Sequence, residues 1–279
     1  MPMKRLFSLL LILVVLAADP VFAAADNKEE VLIQGSMGTL YGVLLMPVDK
    51  EPSALVILAH GFGSSHRGVL DYAEALAAQG FAAFAFDFCG GGNSSRSEGT
   101  TTQMSVLTEA ADLDAVISHF ADDPRFNAIC LWGESQGGFV AGLTAARRPQ
   151  DIDALILFYP AFNIPEIVHS YLPKDGQLPE SLRVLGTEVG RVYADDALSV
   201  DIWTLLPTYT GPVLIEHGDR DMLVPISVGE RAAQIYQNAV LNTLTGQNHG
   251  FSGTGRIKAK SDTVAFLLSL FAQTPEQAQ

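Results

Sequence analysis

Residues 133–137, Gly133-Glu134-Ser135-Gln136-Gly137, close a short apolar run and open a helical pattern. A serine flanked in this way fits a strand that turns so sharply into a helix that its hydroxyl stands out at the edge of a sheet. The flanking glycines have a steric reason: the serine backbone is strained there, and a side chain at 133 or 137 would strike the adjoining strand or helix. By itself the pentapeptide recurs by chance, so the rest of the chain has to supply the chemistry. A serine hydroxyl is a weak nucleophile until a base removes its proton, and that base needs an acid to hold its tautomer and balance its charge.

Six histidines are available: His60, His66, His119, His169, His217 and His249. His249 lies in Gln247-Asn248-His249-Gly250-Phe251, between the last expected strand and the last expected helix, and is the expected base. His119 and His217 fall on a helix face and at a strand end, where structural roles are ordinary. His60 opens a loop and is read as a loop-ordering residue. For the acid, Gly218-Asp219-Arg220-Asp221 follows the penultimate strand; Asp221 is preferred, with Asp219 read as a turn aspartate bonding its own backbone. The order Ser135, Asp221, His249 is the one that accompanies this kind of turn. A tetrahedral intermediate also needs preorganised donors for its oxyanion. The backbone N–H groups of Gln136, next to the nucleophile, and of Phe62, in His60-Gly61-Phe62-Gly63, are the expected pair. No His, Cys and carboxylate cluster has ligand spacing, so neither metal nor cofactor is expected.

These groups need elements that end together. Ala54–Ala59, Phe81–Phe86, Asn127–Trp132, Ile152–Phe158, Val213–Glu216 and Ala239–Leu244 read as strands, most as unbroken apolar runs buried on both faces. Val31–Gln34 and Thr39–Met46 read as a hairpin before them. Helical patterns cover Arg67–Gln79, with Gly80 as its C-terminal cap, then Ser105–Phe120, Gln136–Arg148, Ile226–Asn238 and Ile257–Phe271. Alternation of strand and helix implies crossover connections and a mainly parallel sheet of about eight strands covered by helices. Ser135, Asp221 and His249 then sit at C-terminal strand ends, on the edge where open α/β sheets bind ligands. Between Pro160 and Pro207 five prolines break the rhythm, and a stretch of that length is expected to be a functional insertion with short helices of its own.

The chain has 279 residues, 48% of them hydrophobic and 17% charged, which suits a single large core. A formal charge of −14 excludes the basic surface that nucleic acid requires. Met1 to Ala25 has the build of a secretory signal: Lys4-Arg5, the apolar run Leu6–Ala18, and small residues at Ala23–Ala25. That run is about 13 residues, short of the roughly 20 that span a bilayer, so cleavage after Ala23 or Ala25 and a secreted or periplasmic protein free of the membrane are expected. Cys130 lies in the strand that leads to Ser135 and Cys89 follows a different one; in the fold that the motifs below imply, a third strand lies between them, which puts them roughly 10 Å apart, and they are expected to be free thiols. The tail from Ala272 to Gln279 is polar and expected to fray.

Taken together, Ala59-His60-Gly61-Phe62, Phe86-Asp87-Phe88 with its glycine-rich loop, Gly-x-Ser-Gln-Gly-Gly and Gly-Asp-x-Asp-x-x-Val-Pro resemble the α/β-hydrolases, and within them the bacterial cinnamoyl/feruloyl esterases and serine-aminopeptidase-like hydrolases. The resemblance covers nearly all of the chain after residue 25. It implies an α/β-hydrolase fold whose insertion at 160–207 caps the active site and shapes an acyl pocket. It also implies hydrolysis of small acyl or hydroxycinnamoyl-type esters through an acyl-enzyme. A peptidase or amidase, and an acyltransferase, are the alternatives. Family members often carry His before the serine and Gly-His-Gly after Asp-Phe; here Glu134 and Gly90-Gly91-Gly92 stand there, and Asn93–Glu98 is enlarged.

Overall fold

A computed structural model describes residues 27–271, except 36, 49 and 174–176, so the expected signal segment and the polar tail lie outside the described residues. The chain opens with β1 (Asn27–Gln34) and β2 (Thr39–Met46), an antiparallel pair, followed by β3 (Leu55–Ala59), α1 (His66–Ala78) and β4 (Ala82–Phe86). Then come α2 (Val106–Ala121), β5 (Ile129–Glu134), α3 (Gln136–Arg147) and β6 (Ala154–Phe158). The insertion holds α4 (Ile164–Tyr171), β7 (Ser181–Val184), β8 (Thr187–Gly190), α5 (Arg191–Ser199) and α6 (Ile202–Leu205). The chain finishes with β9 (Val213–Gly218), α7 (Ile226–Ile235), β10 (Ala239–Leu244) and α8 (Gly253–Phe271).

Eight strands form one sheet in the order β1-β2-β4-β3-β5-β6-β9-β10, antiparallel at β1-β2-β4 and parallel from β4 onward. The apolar strand runs are buried because helices cover both faces. In β3, Leu55, Ile57 and Ala59 pack toward α2 and α3, whereas Val56 and Leu58 pack toward α1 and α8. Ser105 caps α2, its hydroxyl accepting from the N–H groups of Leu107 and Thr108 while the Thr108 hydroxyl accepts from the Ser105 N–H. Cys89 follows β4 and Cys130 lies on β5 with β3 between them, and both are buried free thiols.

Several boundaries differ from those read in the sequence. β5 continues through Gly133 and Glu134, right up to Ser135, because both residues keep pairing with β6. α7 stops at Ile235, where Tyr236 turns extended (ψ 137°) and buries its ring, so residues 236–238 are not helical. α8 starts four residues earlier than Ile257. The insertion carries, besides the short helices expected of it, the antiparallel hairpin β7–β8. Its strands are only four residues long, and its tip, Leu185-Gly186, takes positive φ at both positions (49° and 86°), as a tight hairpin turn requires.

Candidate active site

Ser135 sits between β5 and α3 at φ 53° and ψ −119°, a conformation that a non-glycine residue holds only when its surroundings over-determine it. They do: its N–H donates to the Phe158 carbonyl on β6 (3.0 Å), and its carbonyl accepts from the N–H groups of Phe139 (3.1 Å) and Ala161 (2.9 Å). A Cβ at Gly133 would overlap the Gly137 carbonyl, and one at Gly137 the Ala59 carbonyl, which is the steric need expected of the two glycines.

The structure brings Ser135, His249 and Asp221 together from the ends of β5, β10 and β9. His249 Nε2 lies 3.0 Å from Ser135 Oγ, and His249 Nδ1 lies 2.7 Å from Asp221 Oδ2. The Asp221 carboxylate is fully buried, and its other oxygen accepts from the N–H groups of Leu223 and Val224, both at 2.9 Å. Burial alone would raise this carboxyl; the hydrogen bonds from His249, Val224 and Leu223 and the nearby imidazole outweigh it and hold the pKa below the usual range. Asp219 does not reach His249. Its carboxylate accepts from the Gly246 N–H (2.6 Å), so it ties down the loop that carries His249 rather than its own turn.

Gly61 lets the His60–Gly63 loop approach the serine: a Cβ there would stand 3.3 Å from that of Ser135. Phe62 is thereby placed beside Ser135, opposite Gln136 at the first turn of α3. His60 orders this loop, its Nδ1–H donating to the Gly61 carbonyl (2.8 Å) while Nε2 accepts from the Phe88 N–H (3.3 Å); burial lowers its pKa. His217 is also buried, its Nε2–H donating to the Val224 carbonyl (2.9 Å), and desolvation lowers its pKa.

Four neighbours carry no chemical signal in the sequence. The Tyr159 hydroxyl donates to Glu134 Oε2 (2.7 Å), and its ring packs 4.5 Å from that of His249. Tyr193, on α5 of the insertion, donates its hydroxyl to the Gln136 side-chain carbonyl (2.8 Å) and meets the Phe62 ring edge to face at 5.7 Å. The Gln136 amide in turn donates to Glu109 (2.8 Å), whose carboxyl burial pushes up to about 8. Arg256, at the start of α8, pairs with Asp71 and reaches the carbonyls of Gly68 and Gly250.

Two openings flank Ser135. One, of about 310 Å³, includes the polar side chains of Glu134, Tyr159, His249 and Arg256. The other, of about 30 Å³, is an apolar slot beneath the insertion, walled by Phe62, Ala161, Ile164, Ile167, Val184 and Leu223. Leu185, at the tip of the β7–β8 hairpin, borders both. Among the described residues no three His, Cys, Asp or Glu side chains converge as metal ligands, and no helix is long and apolar enough to cross a membrane.

Comparison with known proteins places this geometry in a family. Residues 50–195 match the profile described as "Serine aminopeptidase, S33". Among curated proteins, the monoacylglycerol lipase of Mycolicibacterium smegmatis is 26% identical over 221 residues, covering 64% of this chain and 74% of the lipase. The caffeoylshikimate esterase of Arabidopsis thaliana is 30% identical over 138 residues, covering 46% of this chain and 40% of the esterase. The solved structure of Est1E from Butyrivibrio proteoclasticus with ferulic acid bound superposes with a TM-score of 0.80 at 27% identity, covering 87% of this chain and all of that one. An eight-stranded, mostly parallel sheet, a serine on a strained strand-to-helix turn and the match over 50–195 lead to one assignment: the chain belongs to the serine aminopeptidase (S33) family of α/β-hydrolases.

Proposed function

We propose that this protein is an exported serine esterase that hydrolyses small carboxylic esters through an acyl-enzyme. The observation that carries the reading is the hydrogen-bonded line Ser135, His249, Asp221, with separations of 3.0 and 2.7 Å, opening on two cavities. His249 Nε2 takes the proton of Ser135 Oγ as that oxygen attacks the ester carbonyl. The carbonyl oxygen, now an oxyanion, is received by the N–H groups of Phe62 and Gln136; one such donor is typically worth about 3 kcal/mol of barrier. The intermediate collapses when His249 returns its proton to the alcohol oxygen, leaving the acyl group on Ser135. Water, deprotonated by His249, repeats the sequence and frees the acid. Asp221 stays ionised and holds the imidazole with Nδ1–H toward it.

The acyl group belongs in the apolar slot, whose present volume of about 30 Å³ suits a short chain. Hydroxycinnamoyl esters, in keeping with the ferulic acid bound to Est1E, are larger than this slot and require its walls to open. Support for export lies in the sequence of residues 1–25 alone. The family description favours a second reading, cleavage of aminoacyl amides. A panel of p-nitrophenyl esters and aminoacyl p-nitroanilides separates the two, with esters of short acids expected to be turned over fastest. Replacing Ser135 with Ala is expected to abolish ester hydrolysis with an unchanged circular-dichroism spectrum; activity retained by that variant would overturn the assignment.

A further inference from the structure

The side on which His249 stands decides where each half of an ester goes. The proton that His249 Nε2 returns must reach the alcohol oxygen, so the alcohol leaves on the imidazole side of Ser135. His249 lines the opening of about 310 Å³ and is absent from the apolar slot, so the larger opening is the alcohol cavity.

Glu134 is the carboxyl group in that wall without a salt bridge among the described residues. It is held in place: Tyr159, itself buried and at a strained φ of 36°, donates to Oε2 at 2.7 Å. The Gly61 backbone also hydrogen-bonds this carboxyl, and since each of its two oxygens has two acceptor positions, room remains for a donor from the cavity. Arg256 lines the same cavity, but its guanidinium is committed to Asp71, to the Gly68 carbonyl at 3.2 Å and to the Gly250 carbonyl at 3.5 Å. Its positive charge nevertheless belongs to the wall of this space. A cationic alcohol would meet Arg256, and an anionic one would sit against a carboxyl whose pKa burial raises, so that a neighbouring negative charge is disfavoured further. A neutral group carrying a hydroxyl suffers neither repulsion.

We propose that Glu134 is a specificity-determining residue for the alcohol half of the substrate, accepting a hydrogen bond from a second hydroxyl near the ester oxygen, so that the enzyme selects esters of neutral polyhydric alcohols. The proposal rests on Ser135 being the nucleophile. A site that accepts from a substrate hydroxyl disfavours the analogue lacking it, because the hydrogen bond is lost with nothing in its place; about tenfold or more in kcat/KM is the expected scale.

The test compares 2-hydroxyethyl acetate with propyl acetate, which differ by OH against CH3, together with acetylcholine and the acetate ester of glycolic acid. The parent enzyme is expected to prefer the hydroxyethyl ester to the propyl ester by about tenfold or more, with both charged esters poorer. Glu134→Leu is expected to bring the ratio close to one, and Glu134→Gln, which keeps an acceptor oxygen, to hold an intermediate value. Because the ratio is first read in the parent enzyme, a variant that fails to fold does not remove the test. A flat hydroxyethyl-to-propyl ratio in the parent, a ratio unchanged in Glu134→Leu, or acetylcholine as the best substrate overturns the proposal. Labelling by a fluorophosphonate probe separates the two levels. A labelled, active enzyme with a flat alcohol profile defeats only the Glu134 role, whereas an unlabelled enzyme inert toward every ester defeats the Ser135 reading and this one with it.

Discussion

At the scale of single residues, Asp221 and Asp219 lie two positions apart and do different work. Asp221 uses one oxygen for His249 and the other for two backbone N–H groups, which fixes the carboxylate before any substrate arrives. Asn in its place would keep the shape, but its amide presents either a donor to the imidazole or a donor to the two N–H groups, and one of the two sets is lost. Asp221→Asn is therefore expected to lower kcat on the order of 10⁴-fold with a nearly unchanged KM, as follows when the imidazole is held in the wrong tautomer. Steady-state hydrolysis of a short p-nitrophenyl ester measures this. Asp219→Asn keeps an acceptor for the Gly246 N–H and is expected to leave kcat close to that of the parent.

At the scale of elements, the insertion does more than roof the site. Tyr193 on α5 touches Phe62 through its ring and Gln136 through its hydroxyl, so one side chain of the insertion contacts both residues expected to hold the oxyanion. A second bond, from the Ser105 hydroxyl at the start of α2 to Asp196 on α5 (2.5 Å), fastens the same helix to the core. Tyr193→Phe removes the bond to Gln136 and keeps the ring contact. The expected result is a fall in kcat of roughly tenfold with KM little changed, because a donor loosened at the oxyanion is felt in the transition state more than in the ground state. A variant that melts earlier but keeps its kcat would show that Tyr193 merely stabilises the insertion. The hairpin β7–β8 was hard to read because four-residue strands give only two alternations each. Its one usable signal is Leu185-Gly186 between two alternating stretches, and among five prolines that signal is weak.

At the scale of the whole molecule, buried carboxyls set how stability follows pH. Glu109 and Glu216 are both buried, and desolvation pushes each up to about 8 from 4.5. Between those values the folded protein keeps protons that the unfolded chain has released. Stability from these groups is thus full below 4.5, falls as pH rises and is gone above about 8, at a slope of about 1.4 kcal/mol per pH unit for each group. Asp221, Asp71 and Asp87 act the other way, since their pKa values lie below 3.8 in the folded state and their contribution is lost only as pH falls through the folded values. The melting temperature is expected to be highest at mildly acidic pH and to decline toward pH 8. Glu216 accepts from Asn242 at 2.7 Å through one oxygen, and Gln at 216 preserves an acceptor, so Glu216→Gln is expected to flatten that decline. Thermal melts from pH 5 to 8 measure it, and an unaltered slope would refute it.

The chain by itself determined what depends on neighbours in sequence. Apolar runs such as Leu55–Ala59 announce buried strands, the Ser105 cap marks a helix start, and the glycines at 133 and 137 answer a clash within one strand-to-helix turn. The order of Ser135, Asp221 and His249 was legible for the same reason, because each follows its own strand. Tertiary structure decided what depends on residues far apart in sequence. Whether Asp219 or Asp221 faces His249 follows from how two loops pack, 28 residues apart along the chain for the pair that forms. That Glu134 meets Tyr159 follows from the β5–β6 register, and that Tyr193 meets Gln136 follows from the insertion folding back over α3. Such contacts leave no periodic or steric trace in the sequence, since their geometry exists only once the sheet has set the distances between its strand ends.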